Sequence, residues 1–504
     1  MRDPVQVARR AAIAIATTMA IAGCGKVAEA PALPEVLVVV DTNLPVPLVA
    51  GRLRVDLYSE DGTWFDSSDF GRPDSRDWPT SFGIYSDDES RDRLVWVRLR
   101  VHPEGALDTY AGERFRDVTA PFARVAPTDQ PRLARAGNDV TPMTEPSPLL
   151  TVDRLVLVRL RPAKRGRVRV LMHGACVGTM VRMGPAGTPV LGDTESCVAT
   201  EKTREPVAVA VSDDDLSTPA STAAGTWLAG ACPAAAPATE RVCIPGGATI
   251  LGSRENTDFL PSSTTLDPGP PRVFGLSPFF VDRDELTVAG LTAIVERGYT
   301  GALPIAYEGA LAQPTTTSRD TACTWSFTAK GRADYPVTCA SFAAARAICQ
   351  FRGGDLPTEA QWEHVATVAG HRQKVRYAWG QDRPTCERAI WGRVALETKS
   401  PACAGGAGPR LLTEAQDDVS PLGLRDLFGS VSEWARDDAA AFDSKAWAET
   451  SIVDPQPVNA TGRRVLRGNS WMSGPQRPIY RFSPTDTQGY AAVGIRCVYP
   501  VARP

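Results

Sequence analysis

The sequence predicts a multidomain protein in which an all-β, sandwich-like domain precedes an α+β domain rich in loops. The chain has 504 residues, more than one ordinary hydrophobic core accommodates. Short alternating apolar runs fill its first part, whereas helix-capping patterns are confined to the second. We therefore expect two folded domains joined by a linker.

The N-terminal domain is predicted to span residues 35–212, with a subdivision near 140–150, where turn residues are frequent. Its apolar runs are β-branched or alternating, and no helix-period segment interrupts them. Residues 93–101 and 167–171 alternate cleanly, as is typical of half-buried antiparallel strands. The expected strands lie at 36–40, 53–58, 94–101, 155–160 and 168–172.

The polar and Ala/Pro-rich residues 213–241 indicate a linker, and the second domain is predicted to span 242–500. Thr287 is a candidate N-cap of a first helix that stops at Gly298. Ser341 precedes a second helix. Thr358 and Gln361 have the spacing of a capping box for a third helix, whose apolar stripe should bury one face.

Residues 1–23 have the composition of a signal peptide, with arginines followed by an apolar stretch too short to span a bilayer. The stretch ends in Ile-Ala-Gly-Cys, which resembles a bacterial lipobox. This resemblance implies lipidation of Cys24, with residues 24–34 as a tether. We expect a lipid-anchored protein of the bacterial cell envelope, facing the periplasm or the cell surface. The alternative is an ordinary signal peptide with an incidental cysteine.

The formal net charge is −3 with both signs interspersed, so the sequence predicts no basic face that would bind nucleic acid.

Of the 11 cysteines, ten remain once Cys24 is set aside, and this even number suits disulfides in an oxidising compartment. A zinc site is disfavoured because no CxxC pair occurs and the four histidines are scattered. Local spacing suggests the pairs Cys176 with Cys197, Cys232 with Cys243, and Cys386 with Cys403. Three connectivities stay open for Cys323, Cys339, Cys349 and Cys497.

Three blocks of the second domain occur in a characteristic order: PVTCASFAAARAICQFRGGDLPTEAQWEHVA with YAWG, then GLRDLFGSVSEW, then RVLRGNSWMS with VGIRC. They resemble the formylglycine-generating enzyme (sulfatase-modifying factor) family over residues 242–500. The resemblance implies a compact, loop-rich variant of the C-type lectin fold.

Active members of this family oxidise a cysteine of a client sulfatase with molecular oxygen, using two cysteines that bind copper(I). The corresponding positions here are Ser473 and Pro478. A neutral hydroxyl and a ring without a donor do not replace two soft thiolates, so no copper is expected. Ser470, Trp471 and Arg481 match residues around the family's substrate cleft. Each has an alternative interpretation, as a core turn for the first two and as a buried salt bridge for the arginine.

The resemblance also implies a calcium site in the GLRDLFGSVSEW block. The mapped ligands are the carboxylates of Asp426 and Glu433 and the carbonyls of Gly429 and Val431, all hard oxygen donors. The alternative is an acidic turn that is solvated or salt-bridged. The family's other calcium position maps to 389–390, where the usual asparagine is absent.

These observations favour a non-catalytic binding module that recognises a protein or glycan at the cell envelope and is held to the membrane by its lipid anchor. An oxygen-dependent oxidase of protein cysteine is the main alternative, and a purely structural envelope component is another. Relatives that form sulfoxides with non-haem iron bring a helical, histidine-rich domain, and residues 25–241 have no such pattern.

Overall fold

A computed structural model of the protein divides, in its described residues, into two compact units, one ending at Trp227 and the other beginning at Leu228. No helix in these residues is both long enough and apolar enough to cross a membrane. Cys24 and most of the predicted signal peptide and tether lie outside them. The structure describes residues 5–8, 33–103, 134–135, 138–139, 147–184, 187–198, 203–213, 223–233, 240–253, 265–310, 322–328, 330–393, 403, 408–409, 411, 414 and 416–501.

The first unit is built from β-strands and short 3-10 turns, with no α-helix among its described residues. Two four-stranded sheets have the orders β1-β5-β2-β10 and β4-β3-β6-β9, and β9 contacts both β2 and β10. The strands β7 and β8 form one further pair, and β11 and β12 form another. The strands are β1 Val5–Ala8, β2 Glu35–Thr42, β3 Arg52–Tyr58, β4 Trp64–Gly71, β5 Thr80–Ser86, β6 Arg93–His102, β7 Ala134–Arg135, β8 Asn138–Asp139, β9 Val152–Leu160, β10 Arg165–Met172, β11 Glu195–Cys197 and β12 Arg204–Pro206.

All five expected strands are present, but two expectations about them were wrong. Strand β10 pairs in parallel with β2, because the strand before it, β9, lies in the other sheet and the chain crosses between the sheets. Strand β6 has no exposed position, so it is not half-buried. Its buried Arg100 is neutralised by Asp56 of β3, to which it donates a hydrogen bond at 2.7 Å.

The boundary between the units falls inside the predicted linker 213–241. Trp227 is buried against Gly174, and its backbone N–H donates to the Asn43 carbonyl at 2.8 Å. The segment just before this boundary is therefore hydrogen-bonded into the first unit. At its end, the Cys232–Cys243 disulfide ties the chain into the second unit.

In its described residues the second unit combines four short helices with three small sheets of order β13-β17-β22, β14-β16 and β15-β20-β19-β18-β21. Its two main core clusters lie around α1 and α2 and around α3. The elements are β13 Arg241–Ile244, β14 Gly247–Leu251, β15 Thr265–Leu266, β16 Arg272–Leu276, β17 Phe279–Asp282, α1 Val288–Glu296, α2 Phe342–Phe351, α3 Glu359–Thr367, β18 Ser432–Asp438, α4 Lys445–Glu449, β19 Arg464–Arg467, β20 Arg481–Phe482, β21 Val493–Gly494 and β22 Val498–Pro500.

The three helix starts expected from the sequence are confirmed. Thr287 and Ser341 cap α1 and α2, and Thr358 and Gln361 form the reciprocal capping box of α3. The expectation that α3 buries only one face was wrong, because Glu359 and Glu363 are also fully buried. These two glutamates can be buried because cationic side chains surround them.

Five disulfides use ten of the 11 cysteines. Three of them are the pairs suggested by local spacing, Cys176–Cys197, Cys232–Cys243 and Cys386–Cys403. The connectivity that the sequence left open is Cys323–Cys339 with Cys349–Cys497. The last bridge joins α2 to the segment before β22.

Candidate functional site

The GLRDLFGSVSEW block forms a buried loop, residues 423–431, that leads into β18. Two of its non-glycine residues, Asp426 and Ser430, have positive φ angles of 57° and 64°. The carbonyls of Phe428 and Ser430 accept hydrogen bonds from the backbone of Asn469 and Trp471, each at 2.9 Å. These bonds tie the loop to the turn that carries the family's copper positions.

Carboxylates crowd around this loop. Asp418 accepts hydrogen bonds from the backbone N–H groups of Phe428 and Gly429, each at 3.0 Å. Glu285 lies on the other side, where its Oε1 accepts from the Val431 N–H at 3.2 Å. Burial raises the pKa of the Asp418 carboxyl to about 6.

Burial likewise raises the pKa values of Asp426 and Glu285 well above their ordinary range, with the neighbouring carboxylates adding to the effect. Three buried oxygens here have no hydrogen-bond partner among the described residues: Asp426 Oδ2, Glu285 Oε2 and Ser430 Oγ. Buried unpaired carboxylate oxygens are costly, so a bound cation or proton is needed to stabilise them.

Glu433, by contrast, is fully paired. Its Oε1 accepts from Arg496 Nε at 2.9 Å, and its Oε2 accepts from Trp362 Nε1 at 2.6 Å. Burial alone would lower the pKa of the Arg496 guanidinium, but the carboxylates of Glu433 and Glu285 raise it above its usual value. Arg496 also donates to the backbone carbonyls of Asp282, Arg283 and Arg425.

The donor set around the loop suits a hard cation. Asp426 and the carbonyls of Gly429 and Val431 supply oxygen ligands of the kind that Ca²⁺ takes. No group of three or more His, Cys, Asp or Glu side chains in the described parts of the chain is arranged to hold a metal ion. A cation at this loop would therefore depend on main-chain carbonyls as well as carboxylates.

The copper positions lie on the turn that follows β19. Ser473 is half-buried, and its Oγ lies 3.0 Å from the Ser470 Oγ in a hydroxyl–hydroxyl hydrogen bond. Pro478 is buried five residues further on. All cysteines of the second unit are disulfide-bonded, so no thiolate is available beside these positions. The residues present do not fit copper(I).

Two of the three cleft residues suggested by the sequence are fully buried. Trp471 packs in a core cluster, and its indole N–H donates to the Ala491 carbonyl at 3.2 Å. Arg481 forms a two-point ion pair with Glu359 inside the unit. Ser470 is also buried, with Ser473 as its side-chain partner. All three side chains are therefore buried and held by contacts within the unit.

A partly exposed aromatic group borders the copper turn. Hydrogen bonds hold the backbone on both sides of Trp391. The carbonyl of Ile390, just before it, accepts from the Ser430 N–H, and the N–H of Gly392, just after it, donates to the Ser473 carbonyl. Trp391 packs on the cluster of Tyr377 and Phe428, and Trp379 stacks on Tyr377 at 5.1 Å.

Sequence reasoning missed Glu285, Asp418 and Arg496. Glu285 lies two residues before the N-cap Thr287, where an acidic residue usually indicates only a solvated helix start. Arg496 directly precedes Cys497, and the sequence pattern there predicts only a disulfide cysteine. All three are charged residues inside otherwise apolar stretches. This pattern does not indicate which residues contact one another in the fold.

Comparison with known proteins agrees with the earlier resemblance. The family described as "Sulfatase-modifying factor enzyme 1-like domain" matches residues 229–501. A formylglycine-generating enzyme of Streptomyces coelicolor is 31% identical over 176 residues, which is 33% of this chain and 53% of that protein. The inactive C-alpha-formylglycine-generating enzyme 2 of Bos taurus is 30% identical over 179 residues, 34% of this chain and 52% of the relative.

A third relative is the hercynine oxygenase of Mycobacterium tuberculosis, 32% identical over 157 residues, 30% of this chain and 33% of that enzyme. The chain thus spans about half the length of the first two relatives and a third of the oxygenase.

Proposed function

Because this chain belongs to the sulfatase-modifying factor enzyme 1-like domain family, whose match covers residues 229–501, we propose that it uses this domain as a non-catalytic binding module of a cell-envelope lipoprotein. The observation that carries the proposal is the donor chemistry at the copper turn. Ser473 and Pro478 stand where the resemblance places two cysteines, and every cysteine of the unit is oxidised to a disulfide.

The names of the relatives are compatible with loss of activity on a retained scaffold, since one of them is called inactive. The fold is proposed to be the loop-rich C-type lectin variant that the resemblance implies. Such a scaffold needs only a braced core and variable surface loops to recognise a partner.

The surface proposed for recognition is the aromatic group of Trp379 and Trp391 beside the copper turn. Both side chains are partly exposed and are held by Tyr377 and Phe428 beneath them. Rigid aromatic side chains are favoured at binding surfaces. The indole N–H groups of both tryptophans donate to backbone carbonyls of the same unit, so their rings are the groups offered to a partner. The partner is proposed to be a protein or glycan of the envelope.

Calcium is proposed to brace the 423–431 loop. The unpartnered Asp426 Oδ2 supports this proposal, because a divalent cation would neutralise the carboxylates that crowd the loop. When bound, the ion would neutralise the carboxylates and fix the loop.

The lipid anchor on Cys24 is proposed to hold the protein at the membrane.

The test is a copper(I) titration of the purified protein together with an assay for oxygen-dependent oxidation of a peptide cysteine. We expect no stoichiometric copper binding and no aldehyde product. A variant with Ser473→Cys and Pro478→Cys is the matched positive arm for copper binding. Stoichiometric copper(I) binding or aldehyde formation by the unaltered protein would favour the alternative, an oxidase of protein cysteine.

A further inference from the structure

The outer edge of strand β5 pairs with β1 and with no other strand among the described residues. The order of this sheet is β1-β5-β2-β10, and β1 is antiparallel to β5, with Ala8 opposite Gly83. Strand β1 belongs to the predicted signal peptide, residues 1–23, which processing before Cys24 would remove. The processed chain would therefore leave the β5 edge open to another strand.

The backbone of β5 directs its hydrogen-bonding groups alternately to its two sides. The Ser86 N–H donates to the Pro34 carbonyl at 3.0 Å, on the side of β2. In an antiparallel ladder the backbone groups of Ser81, Gly83 and Tyr85 then point to the opposite side, where β1 lies. A row of such groups without partners is a template for the addition of a strand.

Strand β5 lacks the usual protection of an edge strand. Its sequence is TSFGIYS, with no charged residue and no proline. The strands at the other edges of the two four-stranded sheets are β4, β9 and β10, and each of them carries charged residues. Charged side chains and prolines keep sheet edges from pairing. Of these edges, β5 is therefore the one suited to bind another strand.

We propose that the processed protein self-associates through β5, which pairs antiparallel with β5 of a second copy about a two-fold axis at Gly83. In this register Ser81 lies opposite the partner subunit's Tyr85, and Phe82 lies opposite the partner subunit's Ile84. Phe82 and Ile84 are buried, whereas Ser81 is exposed, so the buried face of one sheet continues into the buried face of the other. This inference rests on the proposed lipoprotein, because it requires the removal of β1.

The sequence of β5 favours a second copy over an unrelated strand. Residues at equal distances from Gly83 are similar in character, since Phe82 and Ile84 are apolar and Thr80 and Ser86 both carry hydroxyls. Antiparallel self-pairing therefore brings matching side chains together, with no like charges opposite each other. The interface is isologous, as in most homodimers.

The length of the predicted tether allows both copies to be anchored in one membrane. Glu35, the first residue of β2, lies opposite Tyr85. In the proposed register the two β2 strands would begin about 20 Å apart, given the usual spacing of residues and strands. Residues 24–34 can extend to about 35 Å. Anchoring in one membrane would also raise the effective concentration of one copy around the other.

The test measures the oligomeric state of the processed, lipidated protein in detergent by native mass spectrometry, which also shows whether residues 1–23 are present. We expect a dimer. Ser81→Lys together with Tyr85→Lys places like charges opposite each other and should weaken dimerisation about tenfold or more. Ser81→Lys together with Tyr85→Glu is the matched control. It places opposite charges there and should keep the dissociation constant within about threefold.

A cysteine variant tests the register without added charge. Ser81→Cys together with Tyr85→Cys should form a disulfide-linked dimer on oxidation, seen on a non-reducing gel. Opposite residues of such a pair have Cα atoms about 5.5 Å apart, which is within the reach of a disulfide. Ser90→Cys, in the exposed turn after β5, is the control and should give no such dimer.

The outcomes separate the two proposals. A chain that keeps residues 1–23 would contradict the proposed lipoprotein and this inference with it. A processed chain that stays monomeric would overturn the inference alone. The same holds for a dimer that persists in Ser81→Lys with Tyr85→Lys, and for a stoichiometric complex with a different protein at β5.

Discussion

Arg481 and Glu359 form a two-point ion pair in the interior of the second unit, with Nε to Oε1 at 2.5 Å and Nη2 to Oε2 at 2.8 Å. Glu359 is also 3.3 Å from Arg467, so one carboxylate serves two buried guanidinium groups. This relationship joins the start of α3 to β19 and β20.

Glu359→Gln should therefore be strongly destabilising. Removing one partner of a buried pair leaves an uncompensated charge, and the free energy of unfolding should fall by about 3–5 kcal/mol, measured by urea denaturation. Glu449→Gln is the control, because Glu449 and Lys445 form an exposed pair worth at most about 0.5 kcal/mol. Equal effects of the two changes would contradict the prediction.

Asp437 should make stability depend on pH. Burial, with the Glu359 carboxylate adding to it, raises the pKa of Asp437 to about 8, against an ordinary value of about 4 in the unfolded chain. Between these two values the native state binds more protons than the unfolded chain, so its contribution to stability is lost as pH rises through this window. Arg436 and Arg481 face the same carboxyl and oppose the shift.

Asp437→Asn should make this decline shallower by up to about 1.4 kcal/mol per pH unit, measured by denaturant unfolding between pH 5 and pH 8. The asparagine oxygen can still accept the Glu359 N–H, as Asp437 Oδ2 does at 2.7 Å. An unchanged slope would show that Asp437 stays ionised in the native state.

The Cys349–Cys497 bridge should contribute most among the disulfides of the second unit. Its sequence separation is 148 residues, against 17 for Cys386–Cys403. On the chain-entropy model, replacing both cysteines by alanine should cost about 5 kcal/mol for the long bridge and about 3 kcal/mol for the short one. Guanidinium unfolding under non-reducing conditions measures both, and the reverse order would refute the prediction.

Calcium should raise the melting temperature through preferential binding to the native state. At one hundred times its dissociation constant the ion would add about 2.7 kcal/mol. Asp426→Ala should cancel the calcium-dependent rise. Asp355→Asn, which alters a carboxylate paired with Arg346, is the control and should keep it. A rise that survives in Asp426→Ala would place the ion elsewhere.

Cys24 should carry lipid in the mature protein. Growth with a palmitate analogue should label the unaltered chain, and Cys24→Ala should abolish the label. Cys386→Ala, which alters an exposed cysteine of a disulfide, should leave labelling intact. Labelling that persists in Cys24→Ala would contradict the prediction that the protein is a lipoprotein.

The local signals in the sequence were sufficient for much of the fold. Thr287, Ser341 and Thr358 were found as caps because capping depends on residues three positions apart. The parallel pairing of β10 with β2 was not predictable from alternation, which has the same period in both kinds of sheet.

The candidate site was predictable only in part. Asp426 was predicted as a ligand because it lies in a contiguous block that resembles the family's. Glu285 lies 141 positions away from Asp426, and its contact with Val431 spans 146. Long-range pairing of charged side chains leaves no local pattern, so the partners of Arg481 and Glu433 also emerged only from the fold.

The pairing of β17 with β22, together with the Cys349–Cys497 bridge, places the last strand of the second unit within its core. Tyr499 and Ile495 pack there beside α2. The unit therefore cannot close while residues 493–500 are still inside a ribosome. Its assembly must wait for these residues to emerge, and an oxidant must then form the Cys349–Cys497 bond.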